Sequence, residues 1–156
     1  MRLELLLLGK TKEAYIAAGI KDFSERLGHF CPVTLTYLKG KGAVGKSDTE
    51  IMAMESSLLN SRIETQGCYR IALDPSGRQL TSEQLAAYLD SLICRGVKKT
   101  VWVIGGPLGL AEEQRQAADL VLSLSTMTFT HDMTRLLLLE QLYRAFSIRA
   151  GTGYHK

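Results

Sequence analysis

The sequence predicts a single α/β domain, a five-stranded, mainly parallel sheet with helices on both faces. Three observations carry that expectation. Short leucine-rich or β-branched runs alternate with amphipathic stretches five times along 156 residues. The strand candidates are near-continuous apolar runs, as expected of parallel strands covered on both sides. Two of the helix candidates open on capping boxes, Ser47-x-x-Glu50 and Thr81-x-x-Gln84. With 46% hydrophobic residues, a chain of this length buries a core without disulfides or metals, and residues 1–156 read as one domain.

Leu3 to Leu8 is the first strand, apolar throughout. In the helix that follows, Ile16, Ile20, Phe23 and Leu27 recur every three or four residues, while Lys12, Lys21, Asp22, Glu25 and Arg26 lie off that stripe. Val33 to Leu38, just after Pro32, is a second strand of β-branched and larger apolar residues. A basic glycine loop, Gly40 to Lys46, leads into the Ser47 cap and a helix whose apolar side is Ile51, Met54 and Leu58. Cys68 to Leu73 is the third strand, ended by the turn-forming Asp74-Pro75-Ser76-Gly77. Thr81 then caps a helix carrying Leu85, Tyr88, Leu89 and Leu92 on one stripe, stopped by Gly96. Val101 to Ile104 is the fourth strand, Ala111 to Ala118 a short helix, and Leu120 to Leu124 the fifth strand.

The last helix, Asp132 to Ile148, departs from the one-stripe pattern. Leu136 to Leu139, Leu142, Tyr143, Ala145, Phe146 and Ile148 cover most of its circumference, so more than one side is buried. Either it is a central helix, or one side packs on a second copy of the chain. The second option is favoured in a chain this small, and a homodimer is expected.

Several function classes are disfavoured. Leu5 to Leu8 is too short an apolar run, and Gly9-Lys10 stops it too soon, to be a signal peptide or membrane span. No membrane partner is expected, and the location expected is cytoplasmic. Cys31, Cys68 and Cys94 are odd in number, far apart and without C-x-x-C spacing, so they read as small hydrophobes rather than a disulfide framework or zinc site. His29 ends the first helix and His131 starts the last. Each reads as a helix-end or surface residue, and without H-E-x-x-H spacing no metal is expected. A net charge of +3 permits a polyanionic partner without demanding one.

Three stretches carry candidate chemistry. After the fourth strand, three of the five residues Gly105-Gly106-Pro107-Leu108-Gly109 are glycine. Bare backbone at the carboxyl end of a parallel strand lets a ligand approach N–H and C=O groups closely. Pro107 stands where the dinucleotide fingerprint needs its middle glycine, so a Rossmann cofactor is disfavoured. In a parallel sheet the polar loop Ser125 to Thr130 lies at the same edge, as does Leu73-Asp74, although Asp74 alone reads as a turn-former. Second, Gly40 to Ser47 satisfies G-x-x-x-x-G-K-[ST], and Ile71 to Asp74 resembles a strand ending in a magnesium-holding acid, so a P-loop nucleotide enzyme is the alternative. The Ser47–Glu50 box occupies N–H groups that a phosphate needs, and Asp48 and Glu50 oppose a polyanion. Third, Tyr154-His155-Lys156 follows Gly151-Thr152-Gly153 and has the mix that stacks on a base and contacts phosphate.

Taken together these segments resemble one family from end to end. Ile104-Gly105-Gly106-Pro107-x-Gly109-Leu110, Leu124-Ser125-x-x-Thr128, His131-x-x-x-Arg135, Glu140-Gln141-Leu142-Tyr143-Arg144-Ala145 and the terminal Tyr154-His155-Lys156 are similar, in order and spacing, to the RlmH family. Its members are SPOUT-class enzymes that methylate N3 of a pseudouridine in the helix-69 stem-loop of 23S ribosomal RNA. The resemblance implies a C-terminal trefoil knot, otherwise nearly absent from proteins, and a homodimer packed through it. It also implies S-adenosylmethionine held by Leu73, Gly105, Gly106, Gly109, Leu124, Ser125, Thr126, Met127, Thr128 and Phe129. Arg135, Arg144, Tyr154 and His155 are the implied catalytic residues. The cations would stabilise an anionic base or grip phosphate, Tyr154 would stack on the base, and His155 is the tail group suited to take a proton near neutral pH. Helix spacing also allows Arg135, Glu140 and Arg144 simply to pair along their helix. The implied partner is ribosomal RNA in the large subunit or whole ribosome, with Lys10, Lys12, Lys39, Lys41 and Lys46 as candidate phosphate contacts.

Overall fold

The computed structural model describes residues 1–39, 45–63 and 67–155. Lys156, Gly40 to Val44, and therefore most of the Gly40–Ser47 pattern and Lys41, lie outside the described residues, as does the His155 side chain. The chain runs β1 (Arg2–Leu8), α1 (Ala14–Gly28), β2 (Val33–Leu38), α2 (Asp48–Asn60), β3 (Tyr69–Gln79), α3 (Ser82–Cys94), β4 (Lys99–Ile104), α4 (Glu112–Gln116), β5 (Leu120–Ser123) and α5 (His131–Arg149), and closes with a 3-10 turn at Gly153–His155. The five strands lie in the order β2-β1-β4-β3-β5, and every pairing is parallel.

Side chains alternate across this sheet, so the central strands feed two cores. Leu3, Leu5, Leu7, Ile71, Trp102 and Ile104 face α1, α3 and α5. Leu6, Leu8, Val101, Val103 and Ala72 face the opposite side, where Leu59 of α2 and Leu110 cover them. That two-sided burial is why the strands read as continuous apolar runs. The capping boxes at Ser47 and Thr81 both form. On α2, however, the deepest residues are Ser56 and Leu59, not Ile51 and Met54. The shift follows from α4, against which Ser56 and Asn60 hydrogen-bond Glu113 and Gln114.

One expectation is corrected and a second is narrowed. β3 does not end at Asp74. After Leu73 pairs with Leu122 the chain bulges outward over residues 74–77, and Arg78 and Gln79 resume pairing with Leu122 and Ser123. The bulge lies flat on β5, since a Cβ on Gly77 would sit 2.7 Å from the backbone of Val121 and Leu122. Second, much of the apolar girth of α5 is covered within its own chain, with Leu136, Leu137, Tyr143 and Ile148 left half-buried. It packs between α1 and α3 and on β4, and no residue from 131 to 148 is fully exposed. Gly19 lets α1 approach closely, because a Cβ there would meet Leu136 Cδ1 at 2.8 Å. Of the two options the apolar pattern left open, the central helix accounts for the buried part of it.

Candidate active site

The bulge of β3 after Leu73 and the carboxyl ends of β4 and β5 meet at one edge of the sheet and enclose a cavity of about 400 Å³, within the range of small-molecule sites. Its floor is Leu73, Ile104 and Leu122, and its walls are the 74–75 bulge, the glycine loop and Leu124 to Thr130, with His131 and Thr134 of α5 beside them. Of the ten residues expected to hold a cofactor, Leu73, Gly105, Gly106, Gly109, Leu124, Ser125, Met127, Thr128 and Phe129 line this cavity. Thr126 is not among its lining residues and is exposed.

The glycine loop is shaped by close backbone approach. A Cβ on Gly105 would lie 2.5 Å from the carbonyl carbon and oxygen of Gly109. Gly109 adopts φ +83°, which side-chain-bearing residues rarely adopt, and its N–H donates to Gly106 O at 3.0 Å. On the opposite wall, Ser125 Oγ accepts from Met127 N–H at 2.9 Å, and Ser123 Oγ donates to Ser125 O at 2.9 Å. This tight turn leaves Met127 72% and Phe129 39% exposed at the mouth. Large apolar side chains in water beside bare backbone suit a ligand with a flat apolar face and a polar edge.

Asp74 forms the third wall and is more than a turn residue. Its Oδ1 accepts from Ser76 N–H at 2.9 Å and Ser76 Oγ at 2.6 Å, and its Oδ2 from Arg115 Nη1 at 3.1 Å. Burial alone would raise its pKa, but these donors prevail and the carboxyl lies below the usual range. The same contacts occupy the carboxylate that the P-loop alternative would assign to magnesium. Ser47, the hydroxyl of that pattern, is likewise engaged by Glu50.

The residues expected to be catalytic do not gather at the cavity. Arg135, expected at the substrate, is fully buried. Its Nη1 donates to Thr11 Oγ1 at 3.0 Å and lies 2.8 Å from Asp132 Oδ1, and its Nη2 donates to Leu8 O. It therefore ties the start of α5 to the exit of β1. Arg144 lies thirteen residues beyond His131, about 20 Å along the helix axis. There its Nε and Nη2 donate to Glu140 Oε1 at 3.0 and 2.6 Å. Its guanidinium lies 4.9 Å from the Tyr154 ring centroid, and that ring meets Tyr143 edge-on at 4.6 Å. The tail thus docks on the far half of its own α5. Tyr154 O–H also donates to Glu140 Oε1 at 3.4 Å, giving an exposed-edge cluster of a cation, a carboxylate and a ring.

His131 was read from sequence as a helix-end residue, yet it lines the cavity. Its position directly after the Ser125–Thr130 loop was the signal available, since the first residue of a helix at this edge faces whatever the loops enclose. Among the described residues, no three His, Cys, Asp or Glu side chains come together as a metal site, and no helix is long and apolar enough to cross a membrane.

An all-parallel sheet with a glycine-walled cavity at its carboxyl edge defines a nucleoside-sized ligand site of the open α/β class. The family model described as "Predicted SPOUT methyltransferase" matches residues 1–155, and the chain belongs to that family. A Desulfotalea psychrophila protein named ribosomal RNA large subunit methyltransferase H is 47% identical over the whole of both chains. One of the same name from Acetivibrio thermocellus is 37% identical, again with both chains fully covered. A probable methyltransferase structure from Bordetella pertussis Tohama I matches with TM-score 0.55 at 12% identity, covering 93% of this chain and 94% of that one. A Legionella pneumophila putative methyltransferase, solved in complex with the cofactor SAM, matches with TM-score 0.50 at 15% identity, covering 91% and 65%.

Proposed function

We propose that this protein methylates N3 of a pseudouridine in the helix-69 stem-loop of 23S ribosomal RNA, on the assembled large subunit or ribosome in the cytoplasm, using S-adenosylmethionine. The observation that carries the reading is the cavity between the β3 bulge and the ends of β4 and β5, found in a chain 47% identical end to end to a protein named for large-subunit ribosomal RNA methylation. Its apolar floor, its glycine loop without Cβ atoms and its exposed Met127 and Phe129 fit an adenosine moiety. S-adenosylmethionine supplies an already activated methyl group. The chain's task is then to hold that nucleoside, align N3 and favour loss of its proton. Leu73, Gly105 and the 124–129 segment are the holding residues.

A homodimer belongs to the same proposal, supported by the roughly 20 Å that separates the cavity from Arg144 and Tyr154 along one helix. A single chain leaves the base-stacking, cationic tail remote from its own cavity, whereas a second copy can bring one. Arg144, Tyr154 and His155 then act on the target base and its phosphates, and Arg135 acts as a positioning residue from within the fold. The C-terminal trefoil implied by the family resemblance is part of this reading. Lys10, Lys12, Lys39 and Lys46 are exposed and available to phosphate.

Calorimetry with S-adenosylmethionine and with Mg-ATP tests the cofactor, and saturable heat with ATP alone favours the P-loop alternative. Methyl transfer to free RNA, large subunits and whole ribosomes tests the substrate, and equal activity on a short free RNA removes the ribosome from the claim. Deleting Tyr154 to Lys156 is expected to preserve cofactor binding and abolish transfer. Mixing that variant with a cavity-blocked chain is expected to restore part of the transfer if the two sites come from different copies.

A further inference from the structure

We propose that His131 accepts the N3 proton during methyl transfer, with the Asp132 carboxylate beside it to stabilise the imidazolium; this rests on the N3 reading above and names a proton acceptor for that same site. The N3–H bond breaks and the proton passes to the imidazole; the electron pair left on N3 forms the new bond to the methyl carbon as the methyl–sulfur bond breaks, its electron pair returning to sulfur to leave the neutral thioether. An acceptor for that step has to reach the cavity, be free of strong donors, and be unprotonated at working pH.

Among the described residues lining the cavity, only Asp74 and His131 titrate. Asp74 is already committed to two Ser76 donors and Arg115, which makes it a weak base. His131 is partly buried, with 28% of its side chain exposed. Burial lowers its pKa below the ordinary histidine value, and Arg135 and Lys12 push the same way against Asp132. The resting imidazole is therefore neutral around pH 7.

Its surroundings suit proton transfer. Nε2 lies 3.4 Å from Asp132 Oδ1, a buried oxygen with no hydrogen-bond partner although Arg135 Nη1 is 2.8 Å away. The other oxygen of Asp132 accepts the Lys12 backbone N–H at 3.2 Å, fixing the carboxylate between α5 and the β1–α1 connection. Nε2 makes no hydrogen bond to Oδ1, so the carboxylate acts on the ring through its charge and the imidazole keeps a lone pair for the incoming proton. The imidazolium that forms then sits against a carboxylate, while Arg135 and Lys12 restore the neutral form once substrate leaves. Asp74, on the β3 wall, is the remaining charged group lining the cavity.

His131→Asn and His155→Asn are compared with wild type using methyl-labelled S-adenosylmethionine and ribosomes lacking the modification, with the methylated position read by mass spectrometry. His131→Asn is expected to bind S-adenosylmethionine within about two-fold of wild type by calorimetry and to lower kcat by about 10²–10⁴-fold at pH 7. Its rate is expected to rise steadily with pH where wild type has levelled off. His155→Asn is expected to slow transfer while keeping the wild-type acidic inflection. In the free wild-type protein, NMR titration of the His131 ring is expected to give a pKa below about 6.5, matching that inflection. A retained acidic limb in His131→Asn, a ten-fold loss of its cofactor affinity, or disappearance of the limb in His155→Asn overturns the assignment. Wild type that fails to bind S-adenosylmethionine, or that methylates another atom, overturns the N3 reading itself and is seen before any variant is compared.

Discussion

Replacing Gly105 with alanine places a methyl group 2.5 Å from the Gly109 carbonyl and 2.9 Å from Leu110 N. These are backbone atoms closed by the Gly106–Gly109 bridge, so no flexible side chain can yield. The loop has to open by about 0.9 Å to reach an ordinary 3.4 Å contact. Overpacking of this kind costs about 1–3 kcal/mol, which in a domain of this size lowers Tm by about 2–12 °C. The same displacement moves the wall from which the ligand is held, so cofactor affinity is expected to fall by at least about ten-fold, or 1.4 kcal/mol. Gly28→Ala is the control. Nothing lies within 4 Å of its Cβ, it sits in the last turn of α1, and alanine there is expected to be neutral or mildly stabilising. Scanning calorimetry and titration calorimetry on both variants measure the two effects. Gly105→Ala with a Tm within about 1 °C of wild type and unchanged affinity would refute the close-approach argument.

Arg135→Met leaves Asp132 as a buried carboxylate without its cation and is expected to destabilise the fold by about 3–5 kcal/mol in urea titrations; adding Asp132→Asn recovers part of that. Asp74 has a depressed pKa when folded, so its contribution to stability is present above its unfolded value of about 3.9 and is lost as pH falls through the folded value. Arg115→Ala is therefore expected to melt below wild type at pH 6, the difference shrinking as the pH falls through that folded value, measured by thermal melts across the range. Burial raises the Cys31 thiol to about 11, whereas Cys94 is exposed. Brief iodoacetamide treatment at neutral pH is expected to label Cys94 and spare Cys31, as read by peptide mass spectrometry.

The centre of the sheet was legible because β1 and β4 bury both faces, so the apolar runs at 3–8 and 101–104 have no other economical reading, while the edge strand at 33–38 was legible from its β-branched alternation. The capping boxes fixed the starts of α2 and α3 for a local reason, three residues and two hydrogen bonds each. The 74–77 bulge was not legible, because Asp-Pro-Ser-Gly has turn chemistry and only tertiary contact with β5 returns the chain to the sheet. The girth of α5 was ambiguous for a related reason. Periodicity counts how many sides of a helix are apolar but does not say whether α1, α3 or another chain covers them. At the cavity, glycine spacing and loop polarity marked the ligand walls. Asp74 read as a turn-former and His131 as a helix-end residue because their importance comes from neighbours 41 and 119 residues distant, Arg115 for one and the Lys12 segment for the other.

The bulge of β3 has a mechanical consequence. Because the chain is stitched to β5 on both sides of residues 74–77, and Arg115 pins its first residue from α4, that side of the cavity is a fixed jamb. Any widening that admits a nucleoside has to come from the hinge opposite, the short run carrying Met127 and Phe129 between β5 and α5. Stiffening that run, for instance by crosslinking it to the glycine loop, would slow the entry and exit of ligand while leaving the thermal stability of the sheet unchanged.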